Sequence, residues 1–219
     1  MVDGLEQGGT NMKEDSKFHP FYIFPLLYVA SIYLLPVCFF LSEEYSFASY
    51  LMYAPIVFGV FNIIVSVKFC KPENRIIMFN STILVKYALI PFFIIGGITL
   101  TVTFLFSFIP VPFMIFVGPV ITAFGIVIGW LILVFETPYA ISYLRLSAKA
   151  GVHAKTAVIL HTILQFFFTL DVIDTMFLAF KEHRWKKLTI FIIVLLIILV
   201  LLFLTLIALG TAGILAQPD

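Results

Sequence analysis

Three side chains in one short stretch are of the types that could do acid–base or metal chemistry: His161, Asp171 and Asp174. Asp171 and Asp174, three residues apart, share one face of a helix. His161 lies about 80° round the same helical wheel and nearly three turns away, so one straight helix cannot bring it to them. A bend or a partner helix would be required. The set lacks the spacing of a zinc protease helix and a third well-placed ligand, so no metal is expected. The plainer reading is a polar helix face that pairs with Lys181, Arg184 or lipid headgroups.

A second pair is separated by a long apolar interval. From Tyr87 to Phe135 no residue is charged, and Lys86 and Glu136 bracket that run. As one helix the run would be about 73 Å long, far beyond a bilayer, so it must fold back. Ile109-Pro110-Val111-Pro112 is the strong breaker near its middle. Counted outward from that turn, Lys86 and Glu136 reach nearly the same depth, near one membrane interface. They can form an ion pair, or each can snorkel separately to the headgroups.

The elements that position these residues follow from composition. The 219 residues are 62% hydrophobic and 11% charged, with a mean hydropathy of +1.14. A water-soluble fold has too little interior to hide that much apolar surface, and soluble domains carry about 25% charged residues. The sequence predicts an all-α, polytopic integral membrane bundle of a cell membrane. Five spans are expected at about 18–42, 46–69, 81–108, 112–135 and 188–215, forming a single transmembrane domain over 18–219. All thirteen Lys and Arg can lie on one side, because basic patches fall at every second junction. That puts the amino terminus in the cytoplasm, with residues 1–17 as a flexible tail, and the carboxyl terminus outside.

The segment at about 138–180 decides the span count. Residues 137–155 form either a basic amphipathic helix on anionic headgroups or an extension of the fourth span. Thr156 to Phe180 is long enough to cross, but crossing would bury Asp171 and carry Lys181, Arg184, Lys186 and Lys187 outside. An aspartate at a helix centre costs roughly 2.5–3.5 kcal/mol on the insertion scale. An interfacial or re-entrant helix is therefore expected. Six spans with both termini inside is the alternative. Arg145, Lys149, Lys155, Lys181, Arg184, Lys186 and Lys187 are expected to meet anionic headgroups on the cytoplasmic side.

Gly118, Thr122, Gly125 and Gly129 fall within about 60° on one face of the fourth span. Small residues let helix backbones approach closely. Gly96 and Gly97 on the third span are the expected partners, and a homodimer is the alternative use of this face. Cys38 and Cys70 should sit at opposite membrane faces and remain unpaired.

No phosphate-cradling loop, nucleophile elbow or basic–aromatic surface is present, so nucleic-acid binding is not expected, and no cofactor is implied. The sequence supports three functional readings. The first is a non-enzymatic accessory, scaffold or assembly partner of another membrane protein. The second is a small transporter or channel subunit, with discontinuous helices at Pro25, Pro36, Pro91 and Pro119 beside Gly96-Gly97. The third is a lipid-modifying enzyme that uses His161, Asp171, Asp174 and Glu136.

Overall fold

The structure, a computed structural model, describes residues 19–109 and 113–215. The tail expected at 1–17, the breaker residues 110–112 and the carboxyl-terminal residues 216–219 lie outside them. Among the described residues all regular structure is helical. The chain order is α1 (Ile23–Leu41), α2 (Ser46–Leu51), α3 (Ala54–Lys68), α4 (Arg75–Leu105), α5 (Met114–Lys149), α6 (Lys155–Leu164), α7 (Leu170–Lys181) and α8 (Lys186–Leu215).

Proline chemistry sets several boundaries. Pro20 opens a single 3₁₀ turn before α1, and the preceding His19 ring accepts a bond from the Phe21 N–H at 3.2 Å. Pro55 lacks the N–H that a continuous helix would need, so the second apolar run breaks after Leu51 and restarts at Ala54 as α3. Pro91 lies inside α4, and Pro119 and Pro138 lie inside α5, without ending either helix. The interruptions expected at Pro91 and Pro119 are therefore not breaks.

Five helical stretches are long and apolar enough to cross a membrane: Pro20–Leu41, Ser46–Lys68, Pro72–Phe108, Met114–Lys149 and Lys186–Thr205. Two of these exceed the expected bounds. α4 starts at Arg75 rather than near 81, and α5 runs to Lys149 rather than 135. The basic segment after residue 137 is thus the last three turns of α5. It does not lie on a surface, because Tyr139, Tyr143, Leu144 and Leu146 are core residues. Arg145 and Lys149 remain on its exposed side.

α5 packs against α4 and α3, and α1 against α3 and α4. The core gathers at one end of this bundle. Met78, Phe79, Ile83, Val85 and Leu89 of α4 meet Tyr28 and Ile32 of α1, and Ile132, Tyr139 and Tyr143 of α5. Toward the other end, large apolar side chains such as Ile98, Phe116, Phe124 and Ile128 are exposed, as are Leu201 and Phe203 of α8. Exposed apolar surface on this scale is costly in water and is the ordinary exterior of a helix in lipid.

The small-residue face is used inside the chain. A Cβ on Gly118 would strike the Ser107 side chain and the Thr103 carbonyl, and one on Gly125 would overlap Leu100. Thr122 donates to the Leu100 carbonyl at 3.4 Å, and Gly129 faces Phe168. The partners are thus Leu100 and Thr103 of α4 and Ser107 in the 3₁₀ turn that follows it, not Gly96 and Gly97, which face open space. Gly59, which the sequence pattern did not single out, is where α3 touches Phe135.

Candidate functional site

α4 and α5 run antiparallel, so their charged residues meet at one level. Lys86 Nζ lies 3.0 Å from Glu136 Oε1 and 2.6 Å from Asp171 Oδ2. Side-chain exposure is 0% for Lys86, 1% for Glu136 and 2% for Asp171, so no member snorkels to a headgroup. One ammonium thus holds two carboxylates from different helices. With one ammonium and two carboxylates ionised, the triad carries a net negative charge. Glu136 Oε2 is buried and has no hydrogen-bond partner.

Asp171 arrives through a chain reversal that sequence periodicity did not reveal. α6 ends at Leu164, residues 165–169 turn, and α7 begins at Leu170. Thr169 adopts a φ of 70°, where a glycine would be the usual choice. α6 and α7 form an antiparallel hairpin in which His153, just before α6, sits opposite Lys181 and His161 sits opposite Asp174. The bend required to join His161 to the aspartates is this turn.

The hairpin has polar residues inside. His161 Nδ1 hydrogen-bonds Asp174 Oδ1, and Gln165 Nε2 donates to Asp174 Oδ2 at 2.6 Å. The aspartate face therefore pairs within the bundle, not with Lys181 or Arg184. The Gln165 carbonyl accepts from Thr137 at 3.3 Å, next in sequence to Glu136, and Gln165 Oε1 is a second buried acceptor without a partner. The His161 ring stacks on Phe177, with centroids 6.0 Å apart. Ile159, Leu160, Ile163, Ile173 and Phe177 face outward.

A second polar layer surrounds His153, between the hairpin and the α4–α5 pair. An ammonium has no acceptor, so Lys181 Nζ donates to His153 Nδ1 at 2.9 Å. The neutral ring then carries its proton on Nε2, which faces Tyr143 Oη at 3.3 Å. The Tyr143 hydroxyl donates to Glu182 Oε1 at 2.7 Å, and Arg75 donates to the same oxygen at 2.7 Å. Burial, then the Lys181 charge, push His153 below its ordinary imidazole value. Burial pushes the Glu182 carboxyl up, but hydrogen bonds from Arg75 and Tyr143 and the Arg75 charge outweigh it and hold Glu182 below the ordinary carboxylate range. The His153 and His161 rings lie 6.0 Å apart and join the two layers.

A family profile matches residues 21–187. The chain belongs to the DUF6652 family, a family of unknown function. The match covers every residue of both polar layers and all helices up to the start of α8. Comparison with curated proteins gives no match, and comparison with solved structures gives none.

The structure thus brings together Lys86, Glu136 and Asp171, and separately His161 and Asp174. Lys149, Lys155, Lys186 and Lys187 are exposed, while Lys181 is engaged by His153. Among the described residues no three His, Cys, Asp or Glu side chains converge as metal ligands. Cys38 and Cys70 are free thiols. Sequence reasoning missed the roles of Tyr143, His153, Gln165 and Glu182, and of Arg75 as a partner. A usable signal was present: Gln165 and His153 are strongly polar residues flanking an apolar helix.

Proposed function

We propose that the protein is a multi-pass cell-membrane protein in which the Lys86–Glu136–Asp171 triad is a protonatable centre of a small proton-coupled transporter or channel subunit. Five spans cross, and α6–α7 enters and leaves from the cytoplasmic side. The amino terminus is cytoplasmic and the carboxyl terminus external. The hairpin supports this topography. Its helices have 10 and 12 residues, about 15 and 18 Å of rise, or half of a hydrocarbon core. Its polar side faces protein and its apolar side faces outward, the inverse of a surface helix in water. Re-entry also keeps Lys155 and Lys181 on the same side as the other basic residues.

The observation that carries the functional reading is the full burial of three ionisable groups where two membrane-length helices meet α7, one carboxylate oxygen being left without a partner. Intramembrane charges are costly and mark ion and proton pathways. The test is proton flux into pyranine-loaded vesicles carrying the purified protein, driven by a potassium diffusion potential. Flux above protein-free vesicles, abolished by Lys86→Met, is expected. Wild-type vesicles no leakier than empty ones would end this reading. In the same preparation, an impermeant maleimide should reach Cys70 only from the cytoplasmic face.

A second reading, an accessory or assembly protein, takes the same triad as structural. The triad ties α7 to both α4 and α5, so it can serve as a lock for the hairpin. Absent flux together with a large stability loss in Lys86→Met would favour it.

A further inference from the structure

We infer that His161, held by Asp174, is the port through which the buried triad exchanges its proton with the cytoplasmic side. This rests on the protonatable-centre reading above and names the route to that centre. As a carboxylate, Asp174 accepts from His161 Nδ1 and so fixes the ring with its proton there and a lone pair on Nε2. A carboxylate that orients an imidazole in this way turns the other ring nitrogen into a directed proton acceptor. The His161 side chain is 11% exposed, whereas the triad side chains show 2% or less. Asp174 is one helical turn from Asp171 on the same face of α7. Gln165 fills the second oxygen of Asp174, and its own Oε1 is a spare buried acceptor.

The transfer balances at each atom. A proton from water binds the Nε2 lone pair of His161, and the Nδ1 proton passes to the Asp174 carboxylate. The ring is left neutral with its proton on Nε2, and reset after a completed transfer requires the ring to turn, so that the protonated nitrogen again faces Asp174. Asp174, now a neutral acid, can return its proton or release it toward the neighbouring Asp171.

The second polar layer regulates this port. His153 meets His161 ring to ring and is itself faced by Tyr143 from α5, by Lys181 and Glu182 at the end of α7, and by Arg75 at the start of α4. Lys181 occupies the one free nitrogen of His153, so His153 cannot bind a proton until that contact opens. A neutral His153 leaves His161 free to take up a proton. A charged one would oppose it.

The experiment uses the flux assay above with His161→Ala and His161→Gln. A proton-transfer group contributes about a hundredfold or more to rate, so both variants should lose about that much flux. Added imidazole should restore His161→Ala, which has room for it, and not His161→Gln. Near-wild-type flux in either folded variant, or no imidazole rescue of His161→Ala, overturns the port and leaves the triad reading intact. Absent wild-type flux overturns both. A measurement on the unaltered protein guards against variants that fail to fold. Nitrogen-15 NMR should find the neutral His161 ring protonated on Nδ1, and a ring protonated on Nε2 alone would refute the proposal.

Discussion

Lys86→Met isolates the energetic role of the triad. Methionine nearly preserves the volume and removes the charge. Two carboxylates with side-chain exposures of 1% and 2% then lose their shared ammonium. Removing one partner of a buried ion pair costs about 3–5 kcal/mol, because the remaining charge is left without solvent or counter-ion. For a chain of this size about 2–4 °C of melting temperature accompanies each kcal/mol, so the variant should melt about 10 °C lower. The assay is thermal unfolding in detergent micelles, read by fluorescence of Trp130 and Trp185. The control is the triple variant K86M with E136Q and D171N. Replacing all members of a buried ionic cluster by neutral groups is often neutral or stabilising, so the triple variant should recover at least half of the loss. Two results would refute the reasoning. One is a Lys86→Met protein within about 0.5 kcal/mol of wild type. The other is a triple variant no more stable than the single one.

Gly125→Leu and Gly118→Leu should each destabilise by about 1–3 kcal/mol through overpacking against Leu100 and Ser107, while Gly96→Ala, which meets open space, should be neutral or stabilising by up to about 1 kcal/mol. The same melting assay checks all three. Acid should loosen the second polar layer in two stages. The folded His153 binds a proton less readily than the unfolded ring, so its contribution is intact above its ordinary 6.5 and is lost as pH falls through the lower folded value. Glu182 is likewise depressed below 4.5, so its contribution is intact above 4.5 and is lost as pH falls further. Melting temperature against pH should therefore flatten just below neutrality in His153→Gln and at more acid pH in Glu182→Gln.

The sequence by itself determined whatever depends on position along one helix. Apolar runs, basic junctions and proline positions set the five membrane-length stretches. The shared depth of Lys86 and Glu136 was legible because an antiparallel pair with a recognisable turn fixes depth by simple rise per residue. The face carrying Gly118, Thr122, Gly125 and Gly129 was legible for the same reason, since a helical wheel needs no partner. Its actual neighbours on α4 were not, because they depend on how the two helices are rotated against each other.

Tertiary structure decided where the chain reverses without a glycine or proline to announce it. The turn at 165–169 places Asp171 on Lys86 and Asp174 on His161, and no periodicity in the apolar pattern encodes it. Arg75 and Glu182 are 107 positions apart and meet only once α4, α5 and the hairpin have assembled. Local spacing constrains which residues share a face or a depth. Which ion meets which counter-ion is set by packing, because a buried charge must find its partner wherever the assembled helices provide one.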